Sequence, residues 1–147
     1  MSEAIKLEGR QMNLKERQTL EAFKSTHLSQ LQTTVTDAAG VPFQFEFQWE
    51  NLVGVDHLNY FNDSMEKSIF NVLASGFKQI CSDDLGKQAV KNSIKKLVIK
   101  NERGSSNGRE AFTLKDGVLT YDINPHTNHD YWEEKAKYLV NFLGENL

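Results

Sequence analysis

Residues 43–50 read Phe-Gln-Phe-Glu-Phe-Gln-Trp-Glu, an unbroken alternation of aromatic and polar side chains. Successive side chains of a β-strand point to opposite faces. A strand here puts Phe43, Phe45, Phe47 and Trp49 on one face and Gln44, Glu46, Gln48 and Glu50 on the other. The aromatic face must be buried and the polar face wet. The chain therefore needs a sheet with one apolar side and an apolar layer to cover it.

That layer is legible as helical periodicity. Asn13 can cap a helix, with Glu16 three residues on completing a capping box. Leu20, Phe23, Leu28, Leu31 and Val35 follow at helical intervals, with His27 on the same side as a half-buried packing residue. Gly40 is a good C-terminal stop. A second helix is expected over 56–81, starting from Asp56 or from an Asp63/Glu66 capping pair. Its stripe is Phe61, Met65, Ile69, Val72, Leu73, Gly76, Phe77 and Ile80. Ser82 or Asp83 should cap a shorter helix carrying Leu85, Ala89, Val90 and Ile94 inward, with Lys87, Lys91 and Lys95 outside. Near the C-terminus, Asp130 and Glu133 read as another capping pair. They precede a stripe of Trp132, Ala136, Leu139, Val140 and Leu143.

Three further strands are marked by Leu97 and Ile99, by Phe112 and Leu114, and by Leu119, Tyr121 and Ile123. Asp116-Gly117 is a two-residue hairpin turn, since both residues tolerate the positive φ it requires. Pro42 and Pro125 stand at element boundaries, where proline is tolerated. The order is thus α-β-α-α-β-β-β-α. Sequential strands joined by short connections favour antiparallel neighbours. The expectation is an α+β, two-layer domain: an antiparallel sheet of about four strands, helices packed on one face, the other face open.

At 147 residues the chain suits one domain over 1–147, with residues 1–12 a short extension lacking any period. Its 39% hydrophobic and 25% charged residues are a globular composition. With Cys81 as the lone cysteine, no internal disulfide can form, which suits a reducing compartment. Asp83 and Asp84 follow it and disfavour a thiolate, so Cys81 reads as a packing residue. The first residues lack a signal peptide's apolar core, and no window approaches the roughly 18–20 apolar residues of a membrane span. A cytoplasmic protein without membrane contact is expected.

The formal net charge is only −3, but it is segregated. Between Lys24 and Lys67 there is no Lys or Arg, while Asp37, Glu46, Glu50, Asp56, Asp63 and Glu66 fall there. From Lys87 to Arg109 seven basic residues face Glu102 alone (Lys87, Lys91, Lys95, Lys96, Lys100, Arg103 and Arg109). Either the two regions meet and neutralise, or they form a bipolar surface that steers a charged partner.

Several segments compete as sites. The polar sheet face, with Gln44, Glu46, Gln48, Glu50, Lys96, Lys100, Glu102, Thr113, Lys115, Thr120 and Asp122, could dock a protein. It carries no aromatic on which RNA bases could stack. The loop Arg103-Gly-Ser105-Ser106-Asn-Gly-Arg109 could hold an anion, through backbone amides freed by glycine and through Arg103, Ser105, Ser106 and Arg109. It also matches Gly-x-Ser-x-Gly around Ser106, but lacks the strand-to-helix elbow that a serine nucleophile needs. Asp122, His126 and His129, with Asp130 and a distant His57, offer metal-ligand chemistry without a known spacing. The basic run could touch phosphates. Against that stands a sequence pI of about 5.8, where nucleic-acid-binding domains usually exceed about 9.

The reading favoured by these features is a non-enzymatic protein-interaction module, of the kind that inhibits or neutralises a partner, needing no cofactor and existing as monomer or homodimer. The alternatives are a metal-assisted hydrolase using the 122–130 cluster and an anion or nucleic-acid binder using 87–109.

Overall fold

The computed structural model describes residues 11–147, so most of the expected N-terminal extension lies outside the described residues. The first helix among the described residues, α1, runs continuously through Leu14–Phe23, a π-helical turn Lys24–Leu28, and Ser29–Ala39. Its capping box forms as expected: Asn13 Oδ1 accepts from the Glu16 N–H and Glu16 Oε1 from the Asn13 N–H, both at 2.9 Å. Gly40, at φ +69°, ends it in the left-handed region that favours glycine. The π-turn sets Phe23 and Leu28 on one side and turns His27 out. His27 is exposed, touching Phe23 ring to ring at 6.0 Å, rather than half-buried.

Strand β1 covers Gln44–Phe47, shorter than the alternation predicts. Trp49–Leu52 instead turns into the short helix α2, and Trp49 folds back to stack on Phe47 at 4.5 Å. Phe45 and Phe47 are half-buried, because β1 is an edge strand. Phe43, just before it, is buried against Phe77.

After a 3-10 turn at Val55–Tyr60 comes α3, composed of Phe61–Met65, a second π-turn Glu66–Asn71, and Val72–Ile80. Met65, Ile69, Phe70, Val72, Leu73 and Phe77 are all buried. Asp83 caps α4 (Asp84–Ser93), accepting from the Gly86 N–H at 2.8 Å. Val90 and Ile94 point inward, but Leu85 is 82% exposed against expectation. The reason is rotational. Gly86 sits so close to the Ile80 carbonyl that a Cβ there would collide with it. Positions 86, 90 and 94 thus share the inner face, and Leu85 lies one residue, about 100°, away from it.

Strands β2 (Lys96–Lys100), β3 (Phe112–Lys115) and β4 (Val118–Asp122) complete the sheet in the order β1-β2-β4-β3. The hairpin turn forms at Asp116 and Gly117, both at positive φ. The sheet is mixed, which corrects the all-antiparallel expectation. β3 and β4 pair antiparallel, but β1 pairs parallel with β2, and β2 with β4. The chain from 101 to 111 is long enough to carry β3 to the far edge. β4 then returns between β3 and β2, where Leu119 and Tyr121 are buried from both sides. A helix α5 (Trp132–Asn146) closes the chain.

Leu97, Ile99, Phe112, Leu119 and Tyr121 join the buried helix residues in one hydrophobic cluster. In that core α3 lies against both α1 and α5. Each buried Phe or Leu contributes about 1.5–3 kcal/mol; α3 meets the sheet region through Phe77 on Phe43 and Phe70 on Phe47, and α5 through Phe142 on Phe112. Among the described residues no helix is long and apolar enough to cross a membrane.

Candidate functional site

The sheet face away from the helices carries rows fixed by the register. Gln44, Lys96, Val118 and Lys115 form one, and Glu46, Val98, Thr120 and Thr113 the next. Val98, Val118 and Thr120 at the centre are half-exposed; Gln44, Glu46, Thr113 and Lys115 are exposed. The acidic and basic segments of the sequence meet here. Lys96 of the basic run pairs with Glu46 of the acidic stretch at 2.7 Å; Lys100 pairs within the basic run, with Glu102 at 2.7 Å. Gln48 and Glu50, expected on this face, leave it with the turn into α2.

Asp122 ends β4 facing the connection that follows β2. Its Oδ1 accepts from the backbone N–H groups of Glu102 at 2.9 Å and Arg103 at 3.1 Å. It anchors that loop and makes no bond to either histidine of the 122–130 segment. Arg103 is likewise occupied locally, donating to the Asp122 carbonyl at 2.8 Å.

The two histidines do gather, around a different set. His126 is buried; its Nε2 lies 2.6 Å from the Leu52 carbonyl oxygen. A carbonyl only accepts, so Nε2 carries the proton and Nδ1 the lone pair. Burial is the main cause that pushes this imidazole down to about 4, with the neighbouring His57 and His129 adding to it. His57 stacks on it at 4.5 Å and bonds the Tyr60 hydroxyl through Nδ1 at 2.7 Å. His129 stacks on Tyr60 at 5.7 Å and reaches Asp63 at 3.1 Å.

Lys67 spans two carboxylates, Asp130 at 2.8 Å and Asp63 at 3.3 Å. The hydrogen bond from Lys67 holds the Asp130 carboxyl below its usual range, and the two acids, Asp130 first, hold Lys67 above its own. Neither Asp63 nor Asp130 caps a helix: α5 starts after Tyr131 with no side-chain cap. Asp63, His129 and Asp130 offer ligand atoms within 4.8 Å of one another. That spacing is close enough for one cation to reach all three, but Lys67 already supplies a positive charge there.

The loop 103–109 is well tied down. The Ser105 carbonyl accepts from the Asn124 N–H at 2.8 Å, Ser105 Oγ from the Asn107 N–H at 3.1 Å, and Asn107 Oδ1 from the Arg109 N–H at 2.9 Å. Arg109 lies over the Tyr138 ring at 5.5 Å. Ser106 stands in irregular chain before a 3-10 turn (Gly108–Glu110), not at a strand-to-helix elbow. A cavity of about 490 Å³ opens between this loop and α5 beside the contact of Gly108 with the helix, and the buried Lys135 lines it. No sequence motif marked that lysine. Cys81 is buried, and burial pushes its thiol up, away from thiolate reactivity.

Comparison of the chain with protein-family models, with curated proteins and with solved structures returns no match.

Proposed function

We propose that this protein is a non-enzymatic interaction module that docks one partner protein on the bare face of its sheet, as an inhibitor or neutraliser does. The observation that carries the reading is the layout of that face. Half-exposed Val98, Val118 and Thr120 sit at its centre, and exposed Glu46 and Lys115 at its margins. A small apolar centre inside a charged rim is the anatomy of non-obligate interfaces. Rim charges there set orientation and encounter rate more than affinity. A reducing, cytoplasmic setting suits the buried thiol of Cys81.

The test is site-specific photo-crosslinking in the native cell. A crosslinker at Val98 should yield an adduct with one protein, absent when it is placed at Leu85 on α4. Glu46→Lys should weaken the adduct. Equal adducts at both positions, or indifference to Glu46→Lys and to salt, would count against the reading. An adduct of the chain with itself would assign the face to a homodimer.

A second reading is favoured by the Asp63, His129 and Asp130 cluster: a divalent cation held there, serving metal-assisted hydrolysis. Zinc or manganese should then bind the purified chain stoichiometrically, and Asp63→Asn with His129→Ala should abolish it. Absence of stoichiometric metal in the parent protein removes this reading.

A further inference from the structure

Lys135 lies in the first turns of α5 and is only 4% exposed. Buried lysines are normally paired with a carboxylate, because an isolated buried charge is costly. The partners of Lys135 are backbone carbonyls, Asn128 O at 3.1 Å and Thr127 O at 3.4 Å. Among the described residues no carboxylate forms an ion pair with it. Burial lowers its pKa, and no opposing charge offsets that.

The lysine borders the 490 Å³ cavity between α5 and the 105–108 loop. That size is within the roughly 300–1,000 Å³ range of small-molecule sites. Side chains able to donate, those of Ser105, Ser106, Asn128 and Tyr138, belong to residues that line the same cavity. The Tyr138 hydroxyl accepts from Arg109 at 3.4 Å and keeps its own proton to donate. The walls are set in advance. Gly108 is packed so tightly on α5 that a Cβ there would lie 3.0 Å from the Tyr138 ring and 3.2 Å from Lys135 Cγ. Glu134, exposed at the rim, is the one acidic group lining the cavity.

We infer that this cavity binds a small anion carrying a carboxylate or phosphoryl group, with the Lys135 ammonium as counter-charge and the hydroxyls of Ser106 and Tyr138 as further donors. The inference uses none of the sheet-face residues, so it stands or falls separately from the docking function. It extends the anion chemistry expected of the 103–109 loop, and it moves the decisive charge from Arg103, whose guanidinium donates to the Asp122 carbonyl, to a lysine 32 positions later in the chain.

The experiment is a ¹H–¹⁵N NMR titration of the full chain with inorganic phosphate and, separately, with acetate. Sodium chloride at matched ionic strength is the control. Saturable shifts at the Ser106, Asn107 and Gly108 amides are expected with at least one of the two anions. Phosphate alone assigns a phosphoryl ligand and acetate alone a carboxylate. Lys135→Met should weaken binding about tenfold or more, the usual effect of losing a charged hydrogen-bonding partner. Ser106→Ala should weaken it and Glu134→Gln strengthen it, and both variants lie outside the core should Lys135→Met not fold. Shifts that merely follow ionic strength, or affinities unmoved by Ser106→Ala and Glu134→Gln, would overturn the inference.

Discussion

The Tyr121 hydroxyl, at the centre of the sheet, donates a hydrogen bond of 2.7 Å to the backbone carbonyl of Ser68, inside the π-turn of α3. π-turns shift the helical hydrogen-bond ladder, and here the Ser68 carbonyl takes a side-chain donor from the sheet. The Ser68 hydroxyl in turn donates to the Pro125 carbonyl at 2.8 Å. One residue of the central helix thereby fixes both β4 and the loop that carries His126 and His129. Burial pushes the Tyr121 phenol's ionisation upward, so it remains a donor at ordinary pH.

Tyr121→Phe keeps the packing and removes that donor. It should cost about 1–3 kcal/mol, the range for orphaning a buried acceptor. Urea denaturation monitored by circular dichroism measures it, and an unchanged midpoint would show that the bond contributes nothing net.

His126 makes stability depend on pH. Its folded-state pKa is depressed to about 4, against about 6.5 in an unfolded chain. Between those values the unfolded state binds the proton and the folded state does not, so stability rises with pH. The contribution is complete above about pH 6.5 and is lost on acidification toward pH 4, with a slope of up to about 1.4 kcal/mol per pH unit. Denaturation of the parent and of His126→Gln at pH 7 and pH 5 isolates it. The variant also loses the Leu52 bond, so the readout is the change in their difference with pH. Parallel curves would contradict the assignment.

Gly76 is the contact point between α3 and α5. A Cβ there would lie 2.5 Å from Leu139 Cδ2 and 2.9 Å from Cγ. Gly76→Ala gains about 1 kcal/mol of helix propensity but overpacks a buried seam, at about 1–3 kcal/mol. The net effect should be destabilising, and the cost of adding it to a Leu139→Ala background should be smaller. Equal costs in both backgrounds would rule out the steric account.

Asp122 should behave as a loop anchor. Asp122→Ala removes the acceptor shared by the Glu102 and Arg103 N–H groups, at about 1–3 kcal/mol. Those two amides should exchange faster with solvent than in the parent, whereas Asp122→Asn, which retains an acceptor oxygen, should be milder. Unchanged exchange at both amides would disprove the role.

The helix layer was legible because its signals are local. Asn13 and Glu16 cap, Gly40 stops, and the α3 stripe is buried from Phe61 to Phe77, with Ile80 half-buried, as periodicity implies. The misses share one cause, competition from a distant partner. Asp63 and Asp130 both look like helix caps in sequence, yet each carboxylate is drawn to Lys67, and this hid the acidic half of the histidine cluster. Leu85 fits an apolar stripe by spacing, yet the close approach of Gly86 to Ile80 turns it out. Lys135 carries no motif at all, and only the folding of the 105–108 loop onto α5 makes it the wall of a cavity.

Alternation and helical period alone marked most of the side chains that are buried, because those patterns are set by backbone geometry within a few residues; Leu85, His27 and the edge-strand Phe45 and Phe47 depart from them. Strand partners were decided only by the tertiary structure. Backbone hydrogen bonds are nearly indifferent to direction, so the parallel placement of β4 beside β2 follows from where the 101–111 connection can reach and which strand gains most from burial on both sides. The same long-range closure brought Asp63 to His129, and it set Lys135 against the 105–108 loop, contacts that no local pattern encodes.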